Sequence, residues 1–429
     1  MTHCRPHTPN LIHQTSYITH LMPQLPQTFI DSTRQVMGSQ RLERYLRSFD
    51  EEAPASIRLN PLKAAALTPT DAERVPWCRD GYYLRQRPNF TIDPLLHAGC
   101  YYVQEAASMF LDEVLRQLHN AYVSRQPYAI RPQTALDLCA APGGKSTLLR
   151  AALPADCLLY SNEPMRNRVN ILQENVQKWG WSCHVVTNSY PQAYRESGLQ
   201  FDLIVCDVPC SGEGMFRKNP ATIGEWSPQQ VEKCAALQRD IVSNAWHCLQ
   251  PGGIFIYSTC TFNTKENEEN VRWLLTEYDA EVIAIDTKPE WNITGSLLDG
   301  FTAPVYRFIP GITRSEGLFM CVLRKKGSAS PHRPSRGAST LHTLQSTPLT
   351  DASAPRCDLS YPEAIAYLRG ETLALPPDTP RGHVVVTFMD HPLGMVKNIG
   401  SRANNLYPKP WRIKTTHIPH DYEAILRHT

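Results

Sequence analysis

Between Thr134 and Lys326 the chain alternates short apolar runs with stretches whose apolar positions recur at helical spacing. That alternation predicts a parallel sheet with covering helices. The predicted strands are residues 135–141, 157–163, 184–188, 202–208, 253–259, 281–286 and 318–323. Helix starts are marked as well. Ser227, Pro228 and Gln230 supply a capping hydroxyl, a first-turn proline and a third-position amide. Asn263, Thr264, Lys265 and Glu266 offer the same kind of box before an amphipathic run to Leu275.

The flanks read differently. Residues 1–125 are a compact mixed region rich in proline and aromatics, and 126–326 hold the sheet pattern. Residues 327–355 are mostly Ser, Thr, Pro, Ala, Gly and Arg with few large apolar groups, the composition of a flexible linker. Residues 356–429 regain aromatics and the β-branched run Val384, Val385, Val386, Thr387, Phe388, and form a small third domain. Its stretch 394–414 carries Lys397, Arg402, Lys409, Arg412 and Lys414 with no acidic residue, and Tyr407 and Trp411 lie among them. Cations interleaved with aromatics suit a phosphate backbone and stacked bases.

Composition changes the picture little. The net charge is only +2, so a nucleic-acid surface must come from local clustering. Thirteen cysteines, scattered and without a C-x-x-C pair, indicate free thiols in a reducing cytosol and no zinc site. No stretch approaches a membrane span and the N-terminus lacks the apolar core of a secretion signal, so a soluble, cytoplasmic protein is expected.

The segment Leu136-Asp137-Leu138-Cys139-Ala140-Ala141-Pro142-Gly143-Gly144-Lys145-Ser146-Thr147 reads as a strand, a turn of small residues and a helix start. Small residues let the backbone approach a ligand, and the helix N-terminus favours acceptors. A P-loop needs Gly where Cys139 stands, and the G-x-G-x-x-G of a dinucleotide site is absent. An S-adenosylmethionine site fits. Glu163 lies close to the ~20 residues past the loop where a ribose-binding carboxylate is expected. Asn188 and Asp207 end the third and fourth strands on the same carboxyl edge.

Two cysteines follow adjacent apolar strands, in Asp207-Val208-Pro209-Cys210-Ser211-Gly212 and in Tyr257-Ser258-Thr259-Cys260-Thr261-Phe262-Asn263. Their placement at one sheet edge suits methylation of a pyrimidine ring carbon. Carbon 5 of cytosine becomes nucleophilic once a thiolate adds at carbon 6, and a base must later remove the carbon 5 proton. Asp207 can hydrogen-bond the cytosine edge, and Lys145 can favour a thiolate. On these grounds either cysteine could be the nucleophile. The remaining apolar-run cysteines (Cys139, Cys157, Cys206, Cys234, Cys248 and Cys321) read as ordinary buried thiols.

Together with Ser56–Pro61 (SIRLNP), Tyr101–Met109 (YYVQEAASM) and Asp207–Lys218 (DVPCSGEGMFRK), these segments resemble the Sun-type (NOL/NOP/Sun) RNA cytosine-C5 methyltransferase family. Within it they are similar to the bacterial 16S ribosomal RNA enzymes with an added C-terminal domain. The resemblance covers nearly the whole chain. It implies an α/β fold: a Rossmann-like methyltransferase core, an N-terminal α/β RNA-contacting domain and a small C-terminal β-rich RNA-binding domain. It also implies that Cys260 is the nucleophile and that Cys210 assists resolution of the covalent adduct. Cofactor contacts carry over to Cys139, Ala140, Ala141, Pro142, Gly143, Gly144, Lys145, Glu163, Asn188 and Asp207. Two positions depart from the family pattern: Val208 stands where Ala is usual, and Asn188 where many members have Asp.

The expected protein therefore methylates carbon 5 of an unpaired or flipped cytosine in RNA, most simply small-subunit ribosomal RNA, and works as a monomer. Met215, Phe216, Arg217 and Lys218 are expected to face that RNA, with Phe216 stacking. Transfer RNA is the alternative substrate. An inactive RNA-binding assembly factor and a P-loop ATPase are the alternative classes, each weakened by the cysteine pair or by Cys139.

Overall fold

In the computed structural model, residues 24–126, 129–328, 340–345, 349–415, 418–419 and 422–429 are described. The chain opens with two helices, α1 (Gln27–Met37) and α2 (Ser39–Arg47). A four-stranded antiparallel sheet follows, built from β1 (Ala55–Leu59), β3 (Ala72–Arg74), β4 (Gly81–Leu84) and β5 (Tyr101–Val103) in the order β3-β4-β1-β5. The short strand β2 (Leu67–Pro69) stands outside it, and helices α3 (Pro94–His97) and α4 (Phe110–Val123) lead to the core.

The central sheet contains β6 (Thr134–Asp137), β7 (Leu158–Asn162), β8 (His184–Thr187), β9 (Phe201–Asp207), β10 (Leu249–Thr259), β11 (Ala280–Val282), β12 (Tyr306–Phe308), β13 (Leu318–Lys325) and β14 (Thr343–Leu344). Its order is β11-β13-β10-β9-β6-β7-β8-β14, with β12 paired to β13. Strands β10, β9, β6, β7 and β8 run parallel, and the others are antiparallel additions. Helices α5 (Gly144–Ala152), α6 (Arg166–Trp179), α7 (Pro191–Ser197), α8 (Pro228–His247) and α9 (Glu268–Glu277) cover the faces. Alternate residues of one strand enter different cores: Leu203 and Val205 pack with Val114 and Leu149, while Ile204 and Cys206 pack with Ile241 and Trp246. A strand covered on both faces must be apolar throughout, which is why these segments read as unbroken hydrophobic runs.

All seven predicted strands are present, the last as an antiparallel neighbour of β10. Ser227 accepts the Gln230 N–H at 3.1 Å and caps α8 as expected. The box at Asn263 does not start its helix there. Asn263 Oδ1 does accept the Glu266 N–H at 2.9 Å, but residues 264–267 form a turn and the regular helix α9 begins at Glu268.

The C-terminal unit comprises β15 (Arg356–Asp358), α10 (Tyr361–Arg369), β16 (Gly382–Phe388), β17 (His391–Asn398), β18 (Ala403–Asn405) and β19 (Leu426–His428). It does not stand apart. Strand β19 pairs antiparallel with β2, and Ile57, Leu59, Leu95 and Tyr101 share one core with Ile365, Tyr367, Val384 and Leu426. Each small sheet has an apolar face that it cannot bury alone, so the two bury theirs against one another. Tyr407 belongs to this core at 2% exposure, so it is not free to stack on a base, whereas Lys397, Arg402, Lys409 and Lys414 are exposed.

The expected linker, 327–355, lies partly outside the described residues, at 329–339 and 346–348. Its described piece at 340–345 is bound to the core: Thr343 and Leu344 pair with Thr187 and Val186 of β8, and Leu341 is buried. Among the described residues no helix is long and apolar enough to cross a membrane.

One buried ion pair ties the antiparallel side of the sheet to the loop that follows β10. Arg307 and Glu268, 1% and 0% exposed, pair with one another, and Arg307 also donates to the Phe262 carbonyl at 2.8 Å. Removing one partner strands the other charge inside. Glu268→Ala is expected to cost about 3–5 kcal/mol of stability, read from the midpoint of chemical denaturation.

Candidate active site

Strands β9 and β10 pair in parallel with Ser258 opposite Asp207, so both open onto the carboxyl edge at the same height. Cys260 follows β10 directly and Cys210 follows β9 after Val208 and Pro209. Their sulfurs lie 3.2 Å apart, and the Cys260 N–H donates to Cys210 Sγ at 3.4 Å. Both side chains are half-buried.

A polar frame fixes the two loops. Glu266 accepts the Ser211 N–H (3.0 Å), Gln238 Nε2 (2.6 Å) and Asn263 Nδ2 (2.8 Å). Glu213 accepts the N–H groups of Phe262 (2.8 Å) and Asn263 (2.9 Å) and the indole of Trp226 (2.9 Å). The Gly214 N–H donates to the Cys260 carbonyl at 2.8 Å. A Cβ at Gly214 would lie 2.6 Å from that oxygen and equally close to Gly317 Cα, so only glycine fits.

The expected RNA-facing loop is part of this frame. Phe216 is fully buried and meets the Phe29 ring edge-on at 5.0 Å, in a cluster with Tyr45, Trp226 and Phe262. Arg217 pairs with buried Glu316 at 2.6 Å and donates to the Ser48 carbonyl at 3.0 Å. Neither side chain is free for RNA. The N-terminal helices need an apolar partner and take the aromatic that the motif offers; of these residues Lys218 is exposed and Met215 half-buried.

Asp207 bonds Lys145 Nζ at 2.8 Å through one oxygen and accepts the Ser258 hydroxyl at 2.6 Å through the other. Burial works against the Lys145 charge, but Asp207, Asp137 and Cys260 outweigh it and hold the ammonium above its ordinary pKa. The Cys210 thiol is pushed up, first by its hydrogen bond with Cys260, then by burial and by Glu266. Either thiol can be the donor in the contact between the two sulfurs.

The expected cofactor loop joins β6 to α5. Gly143 adopts φ +114°, which only glycine takes readily, and caps α5. Arg168 donates to the Ala141 carbonyl at 2.8 Å and pairs with Glu163 at 3.3 Å. Glu163 is 1% exposed and accepts the Met165 N–H at 2.9 Å, which excludes a merely solvated carboxylate. Asn188 donates from Nδ2 to the carbonyls of Glu163 (2.7 Å) and Pro164 (2.9 Å). Its Oδ1 makes none of these bonds and can still accept. Cys139, read as an ordinary buried thiol, is half-buried and hydrogen-bonds Cys206.

The structure adds residues that sequence patterns did not single out. Arg58 of β1 is 2% exposed and donates to Thr147 Oγ1 (2.7 Å), Gln104 Oε1 (2.7 Å) and the Gly144 carbonyl (3.3 Å). It thereby clamps the first turn of α5 to the N-terminal sheet. The signal was a charged residue inside the apolar run of SIRLNP. Asp137, at the end of β6, is fully buried. Its Oδ2 accepts the Ser146 hydroxyl at 2.7 Å, and its Oδ1 has no partner. Burial, aided by Asp207 and Glu163, pushes its carboxyl up to about 7. A buried orphan acceptor beside a glycine turn fits the ammonium of an amino-acid-bearing cofactor.

Comparison with known proteins agrees with this layout. A family model described as 16S rRNA methyltransferase RsmB/F matches residues 129–324. Models for the N-terminal domain of 16S rRNA methyltransferase RsmF and for the methyltransferase RsmF PUA domain match 25–106 and 354–413. The ribosomal RNA small subunit methyltransferase F of Pectobacterium atrosepticum is 34% identical over 72% of this chain, which spans 64% of that protein's length. The protein of that name from Salmonella heidelberg is 28% identical, over 90% of this chain and 96% of its own. Among solved structures, a methyltransferase homolog from Pyrococcus horikoshii is 25% identical with a TM-score of 0.56, covering 70% of this chain and 95% of its own. NSun6 from the same organism, solved with SFG, has a TM-score of 0.57 at 18% identity, covering 72% of this chain and all of its own, and shares the fold.

Two outcomes follow from the geometry. Asn188→Asp replaces a donor by a carboxylate facing two carbonyls, and S-adenosylhomocysteine should bind about tenfold more weakly by calorimetry. Phe216→Ala should lower folding stability by about 3–5 kcal/mol in denaturant titration, as loss of a core aromatic does.

Proposed function

We propose that this chain, which belongs to the 16S rRNA methyltransferase RsmB/F family, transfers a methyl group from S-adenosylmethionine to carbon 5 of a cytosine in small-subunit ribosomal RNA. The observation that carries this reading is the thiol pair at 3.2 Å with the Asp207–Lys145 pair on the adjoining strand end. One thiol suffices for nucleophilic addition. A second in contact with it supplies the base that a carbon 5 proton requires.

Cys260 adds to carbon 6 of a flipped cytosine, and Asp207 and Lys145 stabilise the ring as its electron density moves toward carbon 5. When bound, S-adenosylmethionine supplies an electrophilic methyl group. Cys210 then takes the carbon 5 proton, and the bond between Cys260 and carbon 6 breaks. Cys210 acts as a thiolate in that step, Cys260 leaves carbon 6 as a thiolate, and the proton now on Cys210 passes to solvent. Asp137, Glu163 and Asn188 would hold the ammonium, ribose and adenine ends of the cofactor, with the 139–145 loop between them. The exposed cations of the C-terminal unit give the RNA a second contact surface. The working form is a cytoplasmic monomer.

The test is transfer of labelled methyl to ribosomal RNA transcribed without modification. Wild type should label cytosine, Cys260→Ala should neither label nor crosslink, and Cys210→Ala should hold RNA covalently. Methylation by Cys260→Ala would overturn the role assignment. A second outcome concerns pH. Asp137 titrates near 7, so its attraction for a cationic ammonium is present above that pH and is lost as the carboxyl protonates below it. Cofactor affinity should fall as pH drops from 8 to 6, and Asp137→Asn should bind weakly and without that slope in calorimetry.

A further inference from the structure

The segment 340–345 runs between β13 and the C-terminal unit, yet it is stitched to the edge of the sheet where Asn188 stands. Thr343 and Leu344 extend the sheet beyond β8 as β14. The Asn188 N–H donates to the His342 carbonyl at 2.9 Å, and the His342 N–H donates to Ser189 Oγ at 3.2 Å. Gln173 of α6 donates to the Gln345 carbonyl at 2.6 Å. Leu341 is buried with Leu136, Leu138 and Tyr194. Leu344 packs on the cluster that contains Ala140 and Ala141 of the cofactor loop, together with Val169, Leu172 and Val186.

We infer that this segment is a strap that positions the adenosine end of the cofactor site, joining Asn188 and the Ala140–Ala141 turn into one rigid wall. The inference rests on the functional reading given above. It follows from where the bonds go. The turn at Asn188 must present an acceptor at a fixed height, and its own N–H would otherwise be open to solvent beside the site. The strap caps that N–H, and its leucine fills the space behind the loop. A two-residue edge strand adds little to global stability, so its hydrogen bonds make sense as local order at the turn. By reciprocity, a ligand that needs the ordered turn must in turn order the strap.

Leu344→Asp places a charge against the Ala140–Ala141 cluster and should release the strap. With unmodified small-subunit ribosomal RNA transcript as substrate, KM for S-adenosylmethionine is expected to rise about tenfold, while kcat at saturating cofactor stays within about twofold of wild type. General damage to the fold would lower kcat as well. In the wild-type chain, saturating S-adenosylhomocysteine should slow amide hydrogen exchange across 341–344. An unchanged KM, a fall in kcat without a rise in KM, or exchange at 341–344 indifferent to S-adenosylhomocysteine would each overturn the strap's role. A wild-type chain that binds neither S-adenosylmethionine nor S-adenosylhomocysteine would instead overturn the functional reading, and the strap's role with it.

Discussion

The register between β9 and β10 is the constraint on which the placement of the cysteine pair depends. Ser258 opposite Asp207 sets where each strand stops, and the stopping points set the two sulfurs 3.2 Å apart. A slip of one residue would send every side chain to the opposite face. The register is therefore held from several directions: Glu213 and Glu266 bond both cysteine loops, Gly214 and Gly317 touch backbone to backbone, and Arg307 grips the Phe262 carbonyl from beneath. Three of these side chains, Glu213, Glu266 and Arg307, are charged and nearly enclosed. Their cost of burial is offset by complete hydrogen bonding, which also makes the arrangement rigid.

The central sheet was legible because its physics is local. A strand covered on both faces has to be a continuous apolar run, and a helix start such as Ser227-Pro228 carries its own signal. The cysteine loops were legible too, since Pro, Gly and Ser after a strand mark a turn at the carboxyl edge. Pattern left the two equivalent, because each follows a strand at the same edge, and the roles given to Cys260 and Cys210 rest on the family resemblance.

What escaped pattern reading was long-range. Phe216 and Tyr407 sit among cations and looked available for bases, but whether an aromatic stacks on RNA or fills a core is decided by what packs opposite. For Phe216 that partner is Phe29, and for Tyr407 it is Tyr367. Arg58 was visible only as part of a motif, and its task of clamping α5 needs a contact across 89 positions. The composition of 327–355 spoke for a linker, while two short apolar residues within it, Leu341 and Leu344, were enough to bind it to the core.

The pairing of β19 with β2 has a consequence for biogenesis. The N-terminal sheet is synthesised well before the strand and the apolar face that complete its core, since facing residues such as Pro69 and Leu426 lie far apart in the chain. At ordinary translation speeds that interval is on the order of tens of seconds. During it, Leu59, Leu67 and Leu95 lack their C-terminal neighbours, and the nascent chain offers an open apolar surface. The shared core can therefore close only once both segments have been made, which makes its formation a long-range step of folding.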